Sequence, residues 1–243
     1  MKDDNICGKG IWNVKIWIVL GLAFSLLSQL TNLSTRTPYW LLEFIIYALM
    51  LFGLWANSKF SLRKRICIPK SAAPVVYIFL VWGLGMLYEM TLTVDGTGIG
   101  GVNRNTLASF VLAQGDYLLI AIFSFWIIRK LHLSFREAFF LAGGKSLTEG
   151  LVFTGVLLKT IISPSFFLSP LVLSYYTLVY ASFIALPLLY VDEELLWKNA
   201  KPKPKRSIIL MWIIGFVVAL AIRMFWGLVY APVVTRLFNL PSN

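Results

Sequence analysis

SIILMWIIGFVVALAIRMFWGLVYA, residues 207–231, is a run of 25 residues with a single charge, Arg223. About 20 apolar residues in a helix are enough to cross a bilayer's hydrocarbon core. This stretch is long enough, and its composition reads as a transmembrane helix. Six further apolar stretches lie upstream, at 14–31, 38–56, 73–92, 106–128, 139–162 and 166–190. Together the seven predict an all-α fold, a polytopic membrane helical bundle with about seven transmembrane helices. Little sequence remains for anything else, so residues 1–243 read as a single integral membrane domain.

Composition points the same way. Apolar residues make up 58% of the chain and charged residues only 14%, with a mean hydropathy of +0.78; ordinary soluble domains carry about 25% charge. The stretch Thr31–Pro38 lacks a small-residue cleavage pattern, so the first span is expected to be retained. Cys7 and Cys67 form neither a disulfide framework nor a metal-ligand series.

The cations alternate between the two sides of these spans. Lys2, Lys9, Lys15, Lys59, Arg63, Lys64, Arg65, Lys70, Arg129, Lys130, Arg136, Lys198, Lys201, Lys203, Lys205 and Arg206 fall on one side. Arg36, Arg104 and Arg236 fall on the other. The positive-inside rule then predicts a cytoplasmic amino terminus and an external carboxyl terminus. It also accounts for the net charge of +11. Basic loops facing anionic lipid headgroups need no nucleic acid to explain them.

Charges inside the spans are the candidate functional residues. Asn105, Ser109 and Asp116 are spaced to share a helical face. Asp116 lies ten residues into its span, about 15 Å deep at 1.5 Å per residue. A carboxylate at that depth requires a proton, a partner, water or a place in the protein interior. Arg223 is the strongest partner elsewhere in the chain, and Glu43 and Glu89 approach the same outer half. Glu43, Glu89, Asp116 and Arg223 therefore form a candidate ion-coupling site or polar cavity.

The fifth span reads as broken. Gly143 and Gly144 interrupt it, and Ser146-Leu147-Thr148-Glu149 matches the S-x-x-E capping pattern, with Ser146 starting a helix. A discontinuous helix would expose amides able to hold an ion or anionic group. Lys145 also stands at i,i+4 to Glu149. Gly144-Lys145-Ser146 is not a phosphate-binding loop, because position 139 is Phe139 where that loop requires glycine. The loop Gly96–Gly101 leads into Arg104, a candidate headgroup or anion contact.

Other motifs are missing. His132 is the one histidine and sits in a basic connection, where it offers neither a His-rich metal site nor a recognisable Ser-His-acid arrangement. No cofactor is specified and no metal is assigned. Trp12, Tyr39, Trp40, Tyr190 and Trp212 lie near the expected interfaces, where aromatic rings are favoured. Tyr175, Tyr176 and Tyr180 read as helix packing.

Three functions fit. An ion-coupled small-solute transporter or permease leads, with Asp116 as the coupling carboxylate. An integral membrane enzyme acting on a lipid or lipid-linked substrate would use Asp116 or Glu89 as base and Arg104 or Arg223 as anion clamp. A subunit or scaffold of a membrane complex needs neither. Membrane lipids are the expected partners in all three, with a small solute or ion in the first and another membrane protein in the last.

Overall fold

A computed structural model of the chain describes residues 13–31, 40–94, 106–197 and 206–237. Arg104 and the glycine loop before it lie outside the described residues. Helices dominate: α1 (Val14–Thr31), α2 (Trp40–Phe60), α3 (Ala73–Val94), α4 (Thr106–Leu131), α5 (Phe135–Leu147), α6 (Val156–Ile162), α7 (Ser169–Ile184), α8 (Ile208–Phe225) and α9 (Ala231–Leu237). Single helical turns at Leu62–Arg65 and Glu193–Leu196 lie between them.

Four helical stretches are long and apolar enough to cross a membrane: Ala73–Met90, Phe110–Leu131, Phe166–Ile184 and Ile208–Leu237, with Val14–Leu27 a shorter apolar helix. The architecture is thus an all-α bundle of multi-pass character. The fifth expected span, 139–162, is not one helix, because the chain breaks between α5 and α6.

The most apolar helix is not the core. Only 22% of the apolar stretch of Ile208–Leu237 is buried, against 50% for Phe110–Leu131. Among helices in lipid, hydrophobicity marks the face turned outward, while contacts between helices favour small and polar residues. The centre is α5, where Ala138 to Ser146 are all buried, Lys145 included. It packs on α7 and α8, α1 packs on α7, and α3 packs on α4.

Gly143 and Gly144 do not break α5. They allow close approach: a Cβ on Gly144 would lie 2.2 Å from the Trp212 carbonyl oxygen, and one on Gly215 would lie 2.0 Å from that of Leu141. The capping box lies one helix-length earlier than expected. Ser134 caps α5, with its Oγ accepting from the Glu137 amide while the Glu137 carboxylate accepts from the Ser134 amide at 2.7 Å. Ser146 sits in the last turn of α5 and donates to the Ala142 carbonyl at 3.0 Å. Nothing ends the helix before Ser146, so its hydroxyl turns to the preceding turn.

The basic end of the bundle is tied together by Glu193. Its carboxylate pairs with Arg63 at 3.1 Å and accepts from the Phe135 amide at 3.0 Å, at the start of α5. Arg206 donates to the Leu131 carbonyl, and Trp197 donates to that of Leu133.

Candidate functional site

Four of the charged side chains inside the bundle share one level. Glu89 is 16 residues beyond Ala73, Asp116 15 before Leu131, Glu149 14 beyond Phe135 and Arg223 15 beyond Ile208. At 1.5 Å per residue, each lies about 21–24 Å from the basic end of its segment. Four segments bring charge to one stratum.

Arg223 is its hub. It donates to Glu149 Oε1 through Nε at 3.0 Å and Nη2 at 2.6 Å, and its Nη1 stands 3.6 Å from Asp116 Oδ2. Lys145, one turn before Glu149 on the same segment, donates to the same Oε1 at 3.1 Å. The Lys145 ammonium also lies 4.7 Å from the centre of the Tyr180 ring. Phe153 and Trp226 face the Arg223 guanidinium at 5.6 and 5.8 Å. Paired in this way, the two cations avoid the cost of lone charges in an apolar interior.

Asp116 is placed differently. It is 1% exposed, and neither carboxylate oxygen has a hydrogen-bond partner among the described residues. Its ion pair with Arg223 is the longer of the two that this arginine makes among the described residues. Tyr117, the next residue, donates to Glu89 Oε2 at 3.1 Å and carries the layer across to α3. Two glycines make this possible. A Cβ on Gly85 would fall 2.2 Å from the Tyr117 ring, and one on Gly115 would fall 2.4 Å from the Tyr230 ring.

Both residues of the central pair adjoin irregular helix. Glu149 lies in a π-helical turn, Thr148–Phe153, where the Thr154 amide donates to the Glu149 carbonyl at 2.8 Å. Gly155 follows at φ +63°, in the left-handed region, and α6 starts after it. Arg223 precedes a second π-helical turn, Trp226–Tyr230, whose side chains reach α4: Trp226 donates to the Leu112 carbonyl and Tyr230 to that of Val111. Such turns shift side-chain direction by one residue and concentrate at functional sites.

Of the four residues read as one cluster, Asp116 and Arg223 meet directly, and Glu89 is joined through Tyr117. Glu43 is also buried, on α2, within electrostatic reach of Tyr47 and Tyr88. Tyr88 and Tyr175 share a hydrogen bond at 3.3 Å beside it. The expected Lys145–Glu149 pair forms. Sequence reasoning placed Glu149 at a cap, whereas it is the principal partner of Arg223. It read Tyr180 as helix packing and passed over Tyr117 and Gly85. The Gly-x-x-x-Glu spacing at 85–89 was the available signal, since it places a small residue one turn before a buried acid.

On the basic side of this layer is a cavity of about 20 Å³, bordered by Ser124, Leu141, Lys145, Ile184, Gly215 and Ile222. That is room for one water. No group of three or more Asp, Glu, His or Cys side chains converges as a metal site among the described residues. No family model, curated protein or solved structure matches the chain.

Proposed function

We propose that this protein is an ion-coupled small-solute permease that crosses the membrane seven times, with a cytoplasmic amino terminus, an external carboxyl terminus and one integral membrane domain. One observation carries the reading: Arg223 is shared between Glu149 and Asp116, on different segments, in the middle of an apolar bundle. An arginine with two acceptors has two arrangements of similar charge balance. Moving it from one carboxylate to the other changes which segment α8 is held against. The π-helical turn and left-handed Gly155 beyond Glu149 give that segment a place to bend. Coupled transport requires such an element, one whose two states an ion can bias.

In this reading Asp116 is the coupling carboxylate, Glu149 holds Arg223 in the closed arrangement, and Glu89 and Glu43 extend the polar path. The broken-helix region is Thr148–Gly155, with Gly143 and Gly144 allowing α5 to slide against α8. Arg104, outside the described residues, keeps its reading as a headgroup or anion contact.

The test is flux in proteoliposomes, with a panel of radiolabelled amino acids, sugars and carboxylates under an imposed proton or sodium gradient. A gradient-driven flux that Asp116→Asn reduces to uncoupled exchange supports the permease. A folded Asp116→Asn protein with unchanged coupling removes Asp116 from that role. Chemically altered lipid in the same vesicles, lost with Asp116→Asn, would establish the lipid-enzyme reading instead. Activity appearing only with a co-purifying chain would establish the complex-subunit reading.

A further inference from the structure

We propose that the basic end of the α5–α8 face binds one anionic phospholipid, with its phosphate on Arg136 and an acyl chain in a groove along α8. This site rests on the multi-pass character of the bundle and not on the permease reading.

Arg136 is the starting point. Other cations at the basic end are engaged. Arg63 pairs with Glu193, and Arg206 donates to the Leu131 carbonyl. Arg129 and Lys130 lie over the rings of Phe125 and Trp126 at 5.7 and 4.7 Å. Arg136 is half-buried in the first turn of α5, and its Nε is shut off from solvent without an acceptor among the described residues. Burial makes such an unmet donor costly. Phosphate oxygens suit it, because a guanidinium grips two of them at once through its planar fork.

A groove supplies the second half. Ile209, Trp212, Ile213 and Phe216 of α8, with Leu147 of α5, line an open apolar space of about 280 Å³. Ile209 and Ile213 are 59% and 55% exposed, so no described helix covers this face. Ile209 is one residue and Phe216 eight residues beyond the start of α8. The groove therefore occupies about the first 12 Å of that helix from the basic end.

Helical geometry joins the two halves. Arg136, Phe140, Gly143 and Leu147 recur at steps of four, three and four, which puts them on one face of α5. The Phe140 ring lies 6.4 Å from that of Trp212, in the wall of the groove. Arg136 and Leu147 are eleven residues apart, about 16 Å along the helix axis. The hydrocarbon core is about 30 Å thick, so the chains of one leaflet fill about 15 Å. A phosphate at Arg136 thus leaves its chain the length of the groove. A free anion would leave the groove uncovered, and a second copy of the apolar face would leave Arg136 without an anion. An anionic phospholipid meets both demands, and basic pockets between transmembrane helices hold such headgroups.

The test is native mass spectrometry of the purified, delipidated full chain, titrated with phosphatidylglycerol or with phosphatidylcholine of the same chains. Phosphatidylglycerol should bind about fivefold tighter, the worth of one cation at an anionic headgroup. Arg136→Gln should erase that preference and Arg136→Lys should restore part of it. Lys64→Gln, at the same end of the bundle, should keep it. Ile213→Trp fills the groove and should weaken both lipids with the preference intact. Equal losses in Lys64→Gln and Arg136→Gln would mean diffuse attraction and overturn the site. Inorganic phosphate that competes as well as the lipid would mark a plain anion site and overturn the chain's part. In the unaltered protein, phosphatidylglycerol with a photoactivatable acyl chain should leave its adduct between Ile209 and Phe216. An adduct found only elsewhere, or a groove shielded by a second copy, overturns the proposal.

Discussion

At Glu149 one carboxylate oxygen takes three hydrogen bonds from two buried cations. Glu149→Gln removes the charge both rely on and leaves Lys145 and Arg223 sharing the interior. Breaking a buried pair by removing one partner costs about 3–5 kcal/mol. That loss should appear as a fall in denaturation temperature of the purified protein. Asp116→Asn should cost less, because Asp116 makes only the longer pair with Arg223 and no hydrogen bond among the described residues. Its cost should stay within about 1 kcal/mol, set by whether the new amide finds a hydrogen bond. Comparable losses for the two variants would contradict this division. The charges within several spans, and hence an inward-facing role for them, could be read from the sequence. Which carboxylate Arg223 prefers could not, because residues 74 positions apart in the chain meet only through the packing of α5 on α8.

Helix contact sets the next scale. Gly144 and Gly215 face each other where α5 and α8 touch, and a methyl group on either would collide with backbone. Gly144→Ala and Gly215→Ala should each force the two helices apart, at about 1–3 kcal/mol. Gly83 on α3 has nothing within 4 Å of its missing Cβ, so Gly83→Ala should change stability by less than about 0.5 kcal/mol. Thermal denaturation of the three variants in one detergent checks the contrast. If α5 were broken at Gly143–Gly144, Gly144→Ala would stabilise the helix instead. The sequence carried the glycines plainly but not their purpose. Glycine breaks a helix in water and lets helices approach in a membrane, and only the neighbour decides which.

The whole molecule turns its most apolar helix toward lipid and its polar helices inward, with cations gathered at one end. Cys67 is exposed beside the helical turn Leu62–Arg65 at that basic end. In cells carrying Cys7→Ser, a membrane-impermeant thiol reagent should label Cys67 only after the cytoplasmic side is opened. Cysteine introduced at Ser165, between α6 and α7, should label from outside. The reverse result would invert the orientation, and labelling of both from one side would remove the intervening crossing.

The chain by itself determined that this is a helical membrane bundle, because hydropathy and segment length act locally and need no partner to be read. Cation alternation likewise set the expected orientation. Tertiary structure alone decided that α5 is the centre, that Glu193 ties the basic end, and that Glu149 rather than Asp116 is the closer partner of Arg223. The physical reason is the same in each case. In lipid every segment must be apolar, so hydropathy separates membrane from water but ranks no helix as interior. That ranking comes from where small residues let backbones meet and where buried charges find opposite charges, and both depend on neighbours far away in sequence.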